Sequence, residues 1–81
     1  MAEDPGDERK AAWVRRTVAH DLRGPIAVVL GQCELFETGL RGPLDDKQRS
    51  SVQAIRRQTE KLEGLIEQLR GVLFEGKEPP G

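Results

Sequence analysis

The stretch VQAIRRQTEKLEGLIEQLRGVL, Val52 to Leu73, decides the fold. Within it Val52, Ile55, Thr59, Leu62, Ile66, Leu69 and Leu73 recur at alternating intervals of three and four, the spacing of a heptad seam along one face of an α-helix. Leu65 and Val72 widen the stripe on one side, which suits a helix touching two neighbours in a bundle better than a two-stranded zipper. Asp45 stands where a cap belongs and Gln48 follows three positions later, a carboxylate version of the capping box. Gly76 is placed to stop the helix. Gly64 and Gly71 sit one heptad apart on the outer face, where each costs about 1 kcal/mol relative to Ala, and only close approach of a partner would explain them.

Upstream, Gly39-Leu40-Arg41-Gly42-Pro43-Leu44 punctuates the chain as a turn, and before it Leu22, Ile26, Val29, Cys33 and Phe36 repeat the seam, with Ala19 extending it backwards. Nothing alternates with the period of two that a strand needs. The expected fold is all-α: an antiparallel two-helix hairpin with one helix over about 10–38, a turn at 39–44 and a second helix over about 45–75. Residues 1–9 and 76–81, polar and carrying Pro5, Gly6, Pro79 and Pro80, read as tails or linkers. Two helices of about 30 residues would each run for roughly 45 Å, and one hairpin alone leaves each seam half covered. A symmetric pair of hairpins forming a four-helix bundle closes both. The expected dimer core is Leu22, Ile26, Val29, Cys33 and Phe36 with Val52, Ile55, Leu62, Ile66 and Leu69.

Composition agrees with a partnered chain. The 81 residues imply one small domain, and 36% apolar content is modest for a core built alone. Thirteen basic against 14 acidic residues give a net charge of -1, so no global field favours nucleic acid or an anionic membrane. The Arg residues are interleaved with acids and there is almost no aromatic surface for stacking, which also disfavours nucleic acid. A single Cys excludes an intrachain disulfide, and with one His there is no cluster at zinc spacing, so no metal site is expected. Cys33 reads as a small core residue and Trp13 as an aromatic packed near a helix end. A reduced, cytoplasmic setting is expected. No apolar run approaches the roughly 20 residues that span a bilayer, and the opening MAEDPGDE is unlike a signal peptide. Direct membrane contact is not expected, and the anchor of any membrane-bound parent would lie elsewhere.

His20 is the candidate reactive residue. It precedes Leu22 by two positions, which at about 100° per residue turns it roughly 200° from the seam and into water. That disfavours a histidine hydrogen-bonded within the core and leaves a solvated His without a role as the main alternative. Its neighbours argue against that alternative. Gly24, Ala27 and Gly31 follow at four, seven and eleven, lining a bare face on which a bulky partner can reach the imidazole. Pro25 has no amide proton and crowds the carbonyl of Asp21, so the helix should bend or lose a hydrogen bond beside the His. A neutral imidazole, with an unperturbed pKa of about 6.5, is a competent nucleophile near neutrality. Asp21 is the adjacent carboxylate able to orient the ring, and Arg16 and Arg23 supply nearby positive charge for phosphoryl transfer, which asks mainly for positioning and charge compensation.

The string Ala19-His20-Asp21-Leu22-Arg23-Gly24-Pro25-Ile26 resembles the H-box of bacterial sensor histidine kinases: His, acid, Leu, Arg, a Thr, Ser or Asn, Pro, then an aliphatic. The likeness runs on through Gly31, Glu34-Leu35, Gly39, Leu44, Gln48, Ile55, Leu62, Ile66 and Leu69, covering about Ala11 to Leu73. It implies a dimerisation and histidine-phosphotransfer domain of a two-component system, in which His20 accepts the γ-phosphoryl group of ATP and Asp21 acts as general base. It also implies that the phosphoryl group passes to an Asp in the receiver domain of a response regulator. ATP and Mg would be held by a separate ATP-binding catalytic domain, leaving no cofactor in this chain. The regulator would dock beside the His, on a face that includes Arg16, Arg23, Gly24, Ala27 and Gly31. One departure matters. Gly24 stands where the family often has a Thr or Asn thought to position water for dephosphorylating the regulator, so the resemblance carries the acceptor role but leaves phosphatase activity unsupported. Two other functions share these residues: a free-standing histidine phosphotransferase between regulators, and a degenerate dimerisation module whose His20 does no chemistry.

Overall fold

A computed structural model of the chain describes residues 5–81. It is an all-α hairpin, elongated to 61 × 26 × 17 Å, with no strand among the described residues. The first arm comprises α1 (Pro5–Arg16), a wide turn at Thr17–Asp21 and α2 (Arg23–Glu37); the second arm is α3 (Asp46–Glu75). α2 pairs with α3, whereas α1 continues the first arm and buries none of its residues.

The first arm departs from expectation at both its start and its middle. Residues 5–9, expected within the 1–9 tail, are helical from Pro5, while residues 1–4 lie outside the described part. Local chemistry accounts for the early start: the ring of Pro5 presets a helical φ where no amide donor is needed, and Asp7 and Glu8 complement the positive end of the helix dipole. The arm is also not one continuous α-helix, because its fourth turn opens into the wide turn before Pro25.

The closed end of the hairpin follows local rules. Gly39 (φ 83°) and Gly42 (φ 100°) adopt left-handed backbone that favours glycine, and the Gly42 amide donates to the Gly39 carbonyl at 3.0 Å. α3 then begins with a reciprocal capping box: the Gln48 amide donates to Asp45 Oδ1 at 2.7 Å, and the Asp45 amide donates to Gln48 Oε1 at 3.0 Å. Nearby, Arg56 Nε bonds Glu37 Oε1 at 2.8 Å across the two arms, and this hydrogen bond pushes the guanidinium pKa up.

At its far end α3 stops at Gly76 (φ 67°), and the Lys77 amide reaches back to the Gly71 carbonyl at 3.1 Å. The returning chain explains Gly71, since a Cβ there would stand 3.1 Å from Lys77 Cδ. Gly64 has open space around it.

The core is thin. Among the described residues, the buried side chains are Val18, Cys33, Val52, Thr59 and Ile66. Val52, Thr59 and Ile66 are spaced by exact heptads and form the half of the α3 seam that meets the first arm. The other half, Ile55 (50% exposed), Leu62 (53%) and Leu69 (48%), stands open. On the first arm Val18, Leu22, Ile26, Leu30 and Cys33 turn inward to varying degrees, while Val29 and Phe36, both expected in the seam, are each 38% exposed. A spacing of four from Val18 to Leu30 follows from the widened turn and from the drift of a 3.6-residue period against a 3.5-residue repeat.

Candidate functional site

The site begins with what Pro25 withholds. Its ring nitrogen cannot donate to the carbonyl of Asp21, and the ring crowds that same oxygen, so a regular α-helix cannot close from Asp21 to Pro25. The backbone responds one turn earlier. Across Thr17–Asp21 it opens to π geometry, and the Leu22 amide bonds the Thr17 carbonyl, five residues back, at 3.1 Å. Regular winding resumes at Arg23, with a long first contact of 3.5 Å from the Ile26 amide to the Leu22 carbonyl. The distortion therefore takes the form of a turn with one residue too many, after which the helix continues. The Thr17 hydroxyl is buried in it without a hydrogen-bond partner, at a cost of about 1–3 kcal/mol.

His20 and Asp21 are the last two residues of this wide turn, and both are exposed. Neither side chain takes part in a hydrogen bond or ion pair with the other described residues, so the imidazole nitrogens are open to an incoming group. Leu22, next along, is half-buried.

The second arm reaches this turn through one side chain that the sequence does not single out. Arg70 of α3 donates from Nη1 to the carbonyl of Ala19 at 3.1 Å, across 51 positions. Its guanidinium also lies 5.9 Å from the centre of the Phe74 ring and its Nε 3.7 Å from Glu67 Oε1, which in turn is 3.5 Å from Arg23 Nη2. Arg23, Glu67 and Arg70 thus form a chain of alternating charge over the surface beside His20. Exposed ion pairs of this kind contribute little to stability, but they restrain where the Arg70 head can go.

Below the wide turn, α2 and α3 leave an open groove of about 630 Å³. Arg23, Ile26 and Ala27 line it from α2, and Glu60, Glu63, Gly64 and Glu67 from α3, giving an apolar floor with acidic flanks. Of the residues expected to share a docking face, the structure brings Arg23 and Ala27 into this groove. Arg16 and Gly24 are exposed outside it, and Gly31 is half-buried with open space where a Cβ would stand. His20 and Asp21 are not among the residues lining the groove.

No group of three or more His, Cys, Asp or Glu residues able to hold a metal ion occurs among the described residues, and no helix is long and apolar enough to cross a membrane. What the arrangement offers chemically is an accessible nucleophilic ring on a backbone turn fixed from the opposite arm.

The model of the His Kinase A (phospho-acceptor) domain matches residues 16–71, well over half of the chain, and the matched segment contains the wide turn, α2, the connecting turn and most of α3. No curated protein and no solved structure matches.

Proposed function

Since the chain belongs to the His Kinase A (phospho-acceptor) domain family, we propose that His20 is its phosphoacceptor, taking the γ-phosphoryl group of ATP from a separate catalytic domain and handing it to an Asp of a receiver domain. The observation that supports this most is the exposure of the His20 ring on the turn that Pro25 distorts, inside the matched segment. An acceptor needs an accessible nitrogen and a fixed backbone, because phosphoryl transfer gains most of its rate from placement and charge compensation. Asp21, exposed at the neighbouring position, is the base that takes the ring proton once a donor phosphate is in place; catalytic hydrogen bonds of this kind commonly tighten only in the reacting complex. ATP and Mg belong to the catalytic domain. The groove between α2 and α3 is where the regulator sits, with Arg23 and Ala27 on its wall.

The chain acts as a homodimer. Ile55, Leu62 and Leu69 form an apolar row that the hairpin's own first arm does not cover, and Val29 and Phe36 stand half-open on that arm. A two-fold related hairpin buries the row against its own copy and completes a four-helix bundle.

The test is incubation of the chain with a histidine kinase catalytic domain and ATP, followed by mass analysis of the product. The expected result is one acid-labile phosphate on His20, transferable to a receiver domain. His20→Gln should lose it entirely while the dimer, measured by sedimentation, persists, because the ring lies outside the buried seam. Absence of phosphate on the wild-type chain would mark it as a dimerisation module without chemistry.

A further inference from the structure

The wide turn carries His20, and at its end the Leu22 amide reaches five residues back to the Thr17 carbonyl. Its first and last residues, Thr17 and Asp21, have no regular i+4 pattern between them, and Pro25 withholds the donor that would rebuild it. A backbone with one residue too many can relax back to α geometry by rotating its peptide planes, and each such rotation would swing the side chain that follows. The peptide whose rotation matters most for His20 joins Ala19 to it. That peptide's oxygen receives Arg70 Nη1 at 3.1 Å, from the opposite arm.

We propose that Arg70 is a positioning residue for the reactive histidine: by donating to the Ala19 carbonyl it locks the Ala19–His20 peptide plane and so the direction of the imidazole. The proposal rests on the acceptor reading for its chemical consequence but not for its geometry. Three features make Arg70 a tether and not a casual contact. The bond is partly shielded from water, unlike the exposed ion pairs around it. The guanidinium is held on two further sides, by Phe74 at 5.9 Å and by Glu67 at 3.7 Å, which leaves its Nη1 donor little freedom to leave the carbonyl. Glu67 in turn contacts Arg23, so the same assembly grips the first arm both before and after His20. Arg70 does not touch a reacting atom. Its effect is transmitted through one peptide plane.

The experiment compares the wild-type chain with Arg70→Met and Arg70→Lys, using phosphoramidate as a small-molecule donor so that no catalytic domain is needed. In this reaction the P–N bond of the donor breaks, a bond from phosphorus to a ring nitrogen of His20 forms, ammonia leaves, and the ring proton passes to solvent. Two quantities are read together: the initial rate of His20 phosphorylation, and amide hydrogen exchange along the chain. Arg70→Met is expected to slow phosphorylation by about tenfold, within the range set by small misplacements of a reacting group. It is also expected to speed exchange of the Leu22 amide by a similar factor, with the amides of Val52, Thr59 and Ile66 unchanged. Arg70→Lys, whose ammonium can still donate to a carbonyl, should restore most of both.

The proposal is overturned if the Leu22 amide and the rate are both unaffected, or if the amide loosens while the rate stays at the wild-type value. It is equally overturned if all amides loosen together and Lys does not restore them, since that is the signature of a merely structural residue. Should the wild-type chain itself take up no phosphate, the acceptor reading fails separately, and exchange at Leu22 alone decides whether Arg70 holds the turn.

Discussion

The two ends of the hairpin where the arms meet are built on opposite principles. Around Gly39, Gly42 and Asp45, the turn and the helix start are each satisfied within a few residues: two left-handed glycines make the turn, and a reciprocal capping box starts α3. Around His20 the backbone breaks its own rule because of Pro25, leaves the Thr17 hydroxyl unpaired, and receives support from a side chain 51 positions away. One end is stable by local chemistry and has no reactive group. The other carries the exposed imidazole at the cost of regular winding. Irregular backbone gathers where a side chain must be held in a particular direction, and the contrast supports the proposal that the reactive group is His20.

That contrast can be tested by perturbing each side of it. The largest effect should come from Leu62→Asp, which places a carboxylate in the open row that a second hairpin would cover; dimer association should weaken by about 3–5 kcal/mol, seen as monomer in sedimentation equilibrium, and an unchanged dimer would place the interface elsewhere. Pro25→Ala returns the missing amide to the Asp21 carbonyl and removes a residue that costs a helix about 3 kcal/mol, so thermal unfolding should shift upward by as much as 3 kcal/mol of stability. The Leu22 amide should at the same time leave Thr17 for an α-helical partner, visible by NMR, and His20 should be phosphorylated more slowly. A stable variant with unchanged reactivity would mean that the wide turn is incidental.

At the closed end, Asp45→Ala removes the capping box and should cost about 1 kcal/mol in denaturant unfolding, without altering His20 reactivity. Smallest is Gly64→Ala, expected to stabilise α3 by about 0.8 kcal/mol since its Cβ would enter open space. Gly71→Ala should gain less, because the Lys77 side chain must first move aside. Equal gains at the two glycines would show that the chain end does not pack against Gly71.

How much of this was legible beforehand depends on the range of the interaction involved. The α3 helix, its cap at Asp45 and its stop at Gly76 were readable because each depends on groups within about four residues. The exposure of His20 was readable from its phase relative to Leu22. The early start at Pro5 was also signalled, by a helix-compatible Pro followed by Asp7 and Glu8, but the Gly6 beside it weighed towards a tail. Val18 was hidden because the wide turn shifts the phase ahead of Leu22, and Leu30 because the drift of a 3.6-residue period against a heptad repeat turns it inward in place of Val29. Arg70 and Glu67 gave no signal, being ordinary charged residues on a charged face of α3.

The sequence alone determined that this chain makes two amphipathic arms, where the second is capped and stopped, and that a proline follows the single histidine by five. Its tertiary structure decided the rest: which half of each apolar stripe meets the other arm, how the backbone passes Pro25, and which residue supports the turn from across the hairpin. The physical reason is energetic. Caps and helical periodicity are fixed by hydrogen bonds and side-chain spacing along one segment, whereas a kink, a helix end and a widened turn at a proline differ by only a few kcal/mol, a margin that packing against the second arm is large enough to settle.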